Sequence, residues 1–438
     1  MAIVRVSGPG VGSLIEILGL APLEARRASL RSLVSPADGE SVDRVLATFY
    51  PGPGSYTGED LLEIGCHGGA LLPLLVLDAV LAAGARPARP GEFTRRAYLG
   101  GRIDLVQAEA TADLIEAAAP ALGRAALHQL EGGLSRRIAA LRERLVEAQA
   151  LVAYEIDFPD EDDGPVDPVR VEGAVSGLRE ELDALLRLAP EGEMLREGAL
   201  TVIAGRPNAG KSSLFNVLLG FERAIVTEHP GTTRDAIEAV VSVEGYPFRL
   251  VDTAGLRENA DPVEGMGIEV ARSYLARAAV VLFCVEADRE LGPEERAFLD
   301  TRSDGVRWIL VRTKTDDGDP ETPPSSRGGH GETIRSVRVS SRSGEGIPQL
   351  RTLLLDAAFS GLRAAEEAPL VTRRRHVRAL REAREEIDAF AEARVAGIPP
   401  EVAVTHLQDA TLRLEELLGV IGTEEVLDAV FGSFCIGK

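Results

Sequence analysis

The chain is poor in cysteine: Cys66, Cys284 and Cys435 are the only three in 438 residues. They lie far apart and form no CxxC pair. A disulfide framework or zinc site is therefore not expected, and a reducing cytoplasm is the expected location. Long apolar runs are missing too, and no stretch reaches the roughly eighteen residues of a membrane-spanning helix. The opening "MAIVRVSG" lacks the charged start, apolar core and cleavage site of a signal peptide. Basic residues are outnumbered, with 48 Lys and Arg against 69 Asp and Glu and a formal net charge of −21. That excess repels bare phosphate backbone and argues against broad nonspecific nucleic-acid binding. One local exception is "VTRRRHVR" at 371–378, which is either a basic patch or, in the preferred reading, a solvated helix face.

What is present suggests several domains. The apolar content of 45% allows sizeable cores, and the length exceeds a single ordinary domain. Residues 1–100 read as mixed α and β, with "AIVRVSG" and "RVLATFY" as strands and "ALLPLLVLDAVLAAG" as a buried helix ended by Gly84. The loops "YPGPGSYTGED" and "ARPARPGEFTRR" are placed to carry binding groups. Beyond residue 101, Leu130, Leu134, Ile138, Leu141, Leu145, Ala148 and Val152 step by three and four, one stripe on a long helix. Residues 198–358 alternate strand and helix, which predicts a mainly parallel sheet. Helical periodicity returns from 360 to the end. The simplest architecture is an α/β module inserted into a helical domain.

The segment "GRPNAGKSS" at 205–213 carries G-x-x-x-x-G-K-S between a predicted strand and a predicted helix. In that setting successive N–H groups wrap a phosphate at a helix N-terminus. Asn208, Ala209, Gly210, Lys211, Ser212 and Ser213 form the cradle, with Lys211 on the β and γ oxygens and the Ser212 hydroxyl on Mg²⁺. "DTAG" (Asp252, Thr253, Ala254, Gly255) ends a strand: Asp252 would hold magnesium through water, and the Gly255 N–H would meet the γ-phosphate. "TEHPGTT" lies between the two, with Thr227, Glu228, His229, Pro230, Gly231, Thr232 and Thr233. Thr233 is the expected second hydroxyl on Mg²⁺.

"TKTD" and "SSR" address the base. Asp316 can accept from guanine N1–H and its exocyclic amine, whereas adenine would present a lone pair to the carboxylate. Lys314 would cover the base plane, and Ser340, Ser341 and Arg342 would bring a backbone N–H to the guanine oxygen. Thr313 stands where Asn is usual. For hydrolysis, Leu256 follows the DTAG motif and cannot orient water, and no arginine finger is evident. A monovalent cation held by Asn208 and carbonyls of 227–233 would supply the missing charge, and potassium suits neutral oxygens. Glu264 is the residue chosen to orient water, against the alternative of a surface carboxylate.

With "RVSG", "PGPGSYTGEDLLEIGCHGG", "RPGEFTRRAYLGGRIDLVQAEA", "GRPNAGKSSLFN", "AIVTEHPGTTRD", "DTAGLRE" and "FCIGK", the chain resembles the MnmE (TrmE) family of tRNA-modification GTPases over nearly its whole length. The resemblance implies α/β plus all-α architecture. An α+β folate-binding and dimerisation domain spans 1–100, helical parts span 101–196 and 359–438, and a Ras-like P-loop G domain spans 197–358. It implies a homodimer, potassium-stimulated GTP hydrolysis coupled to G-domain dimerisation, and potassium held by Asn208, Thr227, His229 and Thr232. It implies that Glu264 orients water through a bridge. The implied partner is the flavoprotein MnmG, carrying FAD and using NADH, in a heterotetramer or larger complex. Together they place an aminomethyl or carboxymethylaminomethyl group on the wobble uridine of certain tRNAs. The one-carbon unit comes from a tetrahydrofolate derivative such as the 5-formyl or 5,10-methylene form.

The resemblance also bears on the apolar C-terminus, "FGSFCIGK", which otherwise invites only a poorly fitting prenylation reading. The family delivers this tail to the folate site, so Lys438 would pair with a folate carboxylate or with the terminal region of the pocket. Cys435 is either a thiol beside the one-carbon donor or a small core hydrophobe. Arg5, Glu63 and Arg102 match folate-contacting positions, with Arg102 in place of the usual Lys. Cys66 and Cys284 read as structural, and His67 as a fold-supporting residue. Family members usually carry a further stretch before the strand that begins here at Ala2, on which dimer contacts and folate affinity are expected to depend. The competing reading is a ribosome-assembly or RNA-binding switch GTPase, but such proteins normally carry a basic appendage that this acidic chain does not display.

Overall fold

The computed structural model describes residues 1–157, 168–221, 238–252, 273–300, 305–317, 334–365, 371–420, 424–432 and 434. The chain divides into two compact units. One comprises Met1–Ala112, Leu130–Arg142 and Leu414–Lys438; the other comprises Asp113–Gln129 and Glu143–Arg413.

In the first unit, β1 (Ala2–Ser7), β2 (Ser29–Val34), β3 (Ser41–Tyr50) and β4 (Leu61–Cys66) form an antiparallel sheet in the order β1-β4-β3-β2. Alternation decides its faces. Val6, Leu33, Val45, Leu62 and Ile64 are buried against α1 (Val11–Ile17) and α2 (Leu72–Ala82). Ile3, Leu30 and Leu46 remain exposed. The apolar run that predicts a buried helix is only half buried. Val76, Ala79 and Val80 face the core, while Leu71, Leu74, Leu75 and Leu77 are exposed, because a helix against one sheet face hides a single stripe.

The C-terminal segment packs within this same unit. Leu427 and Phe431 of the last helix (Glu424–Gly432), with Phe434, join Leu105 and Ala108 in a small core edged by Tyr98. Gly91 is left-handed at φ 65°, and a Cβ there would meet the Phe431 carbonyl oxygen at 2.6 Å, so only glycine permits this close approach. The apolar tail is therefore a packed element, at least as far as Phe434.

The second unit contains a six-stranded sheet of β5 (Ala199–Gly205), β6 (Glu238–Val243), β7 (Tyr246–Asp252), β8 (Val280–Glu286), β9 (Arg307–Thr313) and β10 (Arg335–Arg338). The order is β10-β9-β8-β5-β7-β6, parallel except for the β6–β7 pair. β5 and β8 are buried along nearly their whole length, as continuous apolar runs in a two-sided parallel sheet must be.

Helices from before and after this sheet in sequence pack together. Arg384, on the helix Arg374–Val395, donates through Nε to Asp183 on the helix Pro168–Arg187 at 2.9 Å. Arg394 reaches Glu155, on the helix Gly133–Asp157, at 2.8 Å. The α/β module is thus inserted in a helical domain. The predicted stripe is broken in one place: Leu130 ends the helix Pro120–Leu130, and the long helix begins at Gly133. Gly132, at φ 83°, makes the break.

The two chain crossings into and out of the module share one carboxylate. Asp113 is 2% exposed. It accepts from Arg196 Nε at 3.0 Å and from Arg373 Nε and Nη2 at 3.0 and 2.7 Å. Arg374 pairs with Glu193 and Glu197, and Arg378 with Glu382. The run at 371–378 is therefore neither a free basic patch nor the solvated helix face expected: Val371, Thr372, His376 and Val377 are buried, and Arg373 and Arg374 are held in ion pairs.

Candidate nucleotide site

Parallel strands place their C-terminal ends on one edge of the sheet, where ligands bind in open α/β folds. β5 runs directly into the loop 206–210, and the helix Lys211–Phe221 follows. Gly205 is at φ 145°, where a Cβ would meet the Cys284 carbonyl oxygen at 2.4 Å. Asn208 and Gly210 are left-handed at φ 64° and 78°. These torsions turn the loop back over the start of the helix, whose first bond runs from Leu214 N–H to the Gly210 carbonyl at 2.9 Å. Lys211 is buried and its Nζ donates to the Arg206 carbonyl at 2.7 Å.

Two motifs far apart in sequence meet here. Ser212 Oγ donates to Asp252 Oδ2 at 2.7 Å, and Asp252 is buried at the end of β7. A hydroxyl beside a carboxylate is a hard oxygen pair that fits Mg²⁺, an ion that completes its shell with phosphate oxygens and water rather than a protein cage. No group of three or more His, Cys, Asp or Glu side chains suited to a metal occurs among the described residues. Cys284 forms part of the floor. Burial pushes its thiol up to about 12, so it is inert there.

The base-reading candidates join the same edge. Thr313 is 1% exposed, and its hydroxyl donates to the Ala209 carbonyl at 2.9 Å. Lys314, at φ 58°, pairs with Glu286, and Asp316 stands exposed in a 3-10 turn, Thr315–Asp317. Ser340 is fully buried and its Oγ accepts from the Arg342 and Ser343 N–H groups at 3.2 and 3.0 Å, which shapes the loop that also holds Ser341. Ser213 is exposed on the first turn of its helix. Thr227, Glu228, His229, Pro230, Gly231, Thr232, Thr233, Thr253, Ala254, Gly255 and Glu264 lie outside the described residues.

In the first unit Arg5 and Glu63 are register partners on β1 and β4, and Arg5 Nε donates to Glu63 at 2.8 Å on the sheet's open face. Arg102 touches a different segment, its stem lying beside Gly58. Cys435 and Lys438 lie outside the described residues. The His67 N–H and ring both meet Asp43, at 2.9 and 2.8 Å, with the His67 side chain largely exposed. Burial raises the Asp43 carboxyl, but these bonds and the Arg44 N–H outweigh it and hold it below the ordinary range. Sequence reasoning missed a polar cluster in which Glu92 binds Arg86 and Arg96, and Arg96 also reaches Glu59 at 2.6 Å. All four residues lie in the segments 50–60 and 85–96 expected to carry binding groups, but only the fold brings Glu59 to Arg96 across 37 positions. A cavity of about 1040 Å³ is lined by Arg5, Arg86, Glu92 and Arg96 together with β1, α1 and the end of α2.

Comparison with known proteins gives this geometry a context. The family model described as the MnmE helical domain matches residues 105–435, and that of the GTP-binding protein TrmE N-terminus matches residues 1–102. The tRNA modification GTPase MnmE of Methylorubrum populi is 43% identical over all of this chain and 95% of its own length. The chain belongs to the MnmE (TrmE) family of tRNA-modification GTPases. MnmE proteins of Chloroflexus aurantiacus and Salinibacter ruber are 41% and 40% identical, each over all of this chain and 96% of their own length. As an MnmE-family member the protein is a GTP hydrolase, with the G domain inserted in the helical domain behind a TrmE-type N-terminal domain. No described helix is long and apolar enough to cross a membrane.

Proposed function

We propose that the protein is a potassium-activated GTPase that modifies the wobble uridine of certain tRNAs together with the flavoprotein MnmG. The observation that carries the nucleotide reading is the convergence of Lys211, the Ser212–Asp252 pair and the Thr313–Ala209 tie at one sheet edge. Asn208 to Ser213 cradle the phosphates. Ser212 and Thr233 hold Mg²⁺, which supplies charge neutralisation at the β and γ oxygens when bound. Thr313, Lys314, Asp316 and the Ser340–Arg342 loop select guanine. Asn208, with Thr227, His229 and Thr232, holds potassium, and Glu264 orients water.

The folate reading assigns Arg5, Glu63, Arg102 and Lys438 to a tetrahydrofolate derivative, in a domain spanning 1–100. Three features support it: the Arg5–Glu63 pair, the adjacent cavity lined by Arg5, and the tail that packs against Gly91 up to Phe434. The helical parts then span 101–196 and 359–438 and the G domain 197–358. Exposed Ile3, Leu30 and Leu46 on the open sheet face support a homodimer through the N-terminal domains. MnmG brings FAD and NADH in this scheme.

The test compares GTP turnover in potassium and in sodium, and analyses tRNA nucleosides from cells with and without the gene. Potassium should raise turnover severalfold, and loss of the gene should leave the wobble uridine unmodified. Equal rates in the two salts would remove the cation role, and unchanged nucleosides the tRNA role.

A further inference from the structure

The end of β8 and the residues after it buttress three consecutive positions of the base-reading segment, Arg312, Thr313 and Lys314. Arg312, 5% exposed, donates through Nη1 to the Arg289 carbonyl at 2.6 Å. The Ala287 N–H donates to the Thr313 carbonyl at 2.8 Å. Lys314 Nζ pairs with the Glu286 carboxylate. The third contact differs in kind. Two backbone-directed bonds fix where the strand ends, whereas the third fixes a side chain.

Lys314 needs such fixing. Its φ of 58° lies in the left-handed region that long side chains seldom occupy, and residues held there persist only when their surroundings over-determine them. A lysine stem is also rich in rotamers, so placing it in one orientation costs entropy on every binding event unless a partner has already restricted it. Glu286 provides that partner from the neighbouring strand, and Arg289 Nε lies 3.9 Å from its other oxygen.

We propose that Glu286 is a positioning residue for nucleotide affinity: its carboxylate pre-orders Lys314 so that the aliphatic stem already covers the purine plane. The inference rests on the nucleotide reading above and names what that reading leaves open, namely which group holds the lysine. The pair is half-exposed, with side chains 44% and 30% accessible, so its contribution to overall stability is small and its effect falls on the ligand.

The test is a double-mutant cycle on the full chain, with GDP and IDP affinity and dissociation measured by a fluorescent analogue in the presence of Mg²⁺. Glu286→Gln should weaken GDP by about two- to fivefold, the range of an exposed ion pair. The loss should appear in KM for GTP rather than in kcat. Lys314→Gln should lose a similar factor, and the double variant little more. IDP should lose the same factor as GDP, because the stem covers the ring and ignores the amine. Glu286→Asp should retain part of the effect, and thermal midpoints should stay together. Unchanged affinity in Glu286→Gln, or losses that simply add, overturns the inference. A wild-type chain that retains no GDP overturns the nucleotide reading itself.

Discussion

The Thr313 hydroxyl binds the carbonyl of Ala209 across 104 residues of sequence, and so ties the base-reading loop to the phosphate loop. Asparagine is the usual residue here, but a hydroxyl suffices for this bond. Both ends are nearly inaccessible to solvent, so water cannot replace the lost partner.

Thr313→Val keeps the shape and removes the donor. We expect GDP to dissociate roughly tenfold faster, corresponding to about 1–2 kcal/mol for an orphaned buried acceptor. Thr313→Ser should stay near wild type. Stopped-flow release of a fluorescent GDP analogue checks both.

Asp316→Asn replaces an acceptor by an amide that also donates. Xanthine carries a carbonyl where guanine carries its amine, so preference should move from GTP toward XTP. Competition binding with the two nucleotides reads this directly, and unchanged selectivity would remove Asp316 from base recognition.

Gly91→Ala should loosen the C-terminal segment. The left-handed torsion and the 2.6 Å approach to the Phe431 carbonyl leave no room for a methyl group. We expect a loss of about 1–3 kcal/mol in chemical unfolding and faster amide exchange in 424–432. Gly101→Ala shares the positive φ but has open space around it, and so controls for torsion alone.

Glu92 gives the N-terminal unit an acid-sensitive step. The Arg86 guanidinium, working against burial and helped by the Arg89 N–H and Arg96, holds its carboxyl at about 2, below the ordinary 4.5. The folded value is depressed, so the stabilisation is complete above pH 4.5 and fades as pH falls toward 2. Thermal midpoints should drop more steeply with acid in wild type than in Glu92→Gln, and parallel slopes would contradict the assignment.

Legibility in the sequence followed the range of the interactions. The phosphate loop was readable because strand, loop and helix are contiguous, and the local torsions at Asn208 and Gly210 agree with it. The stripe from Leu134 to Val152 was readable for the same reason, but its start was misplaced, since Gly132 reads as an ordinary helix residue until its torsion is seen. The run of leucines around α2 predicts more burial than the fold provides, because apolar content names a helix without saying how many of its faces are covered. The charges of 371–378 were opaque because Asp113, Glu193 and Glu197 lie about 180 to 260 positions away. The Glu286–Lys314 pair was invisible for a similar reason, as two strand ends must be neighbours before it exists.

Asp113 sits where the polypeptide departs for the inserted module and where it returns. One carboxylate thus acts as a shared rivet for both hems of the seam. Displacing either thread pulls on the carboxylate that holds the other, and releasing one leaves the buried Asp113 with a single arginine. The entry and exit of the inserted module are thus joined to each other as well as to the helix that carries Asp113.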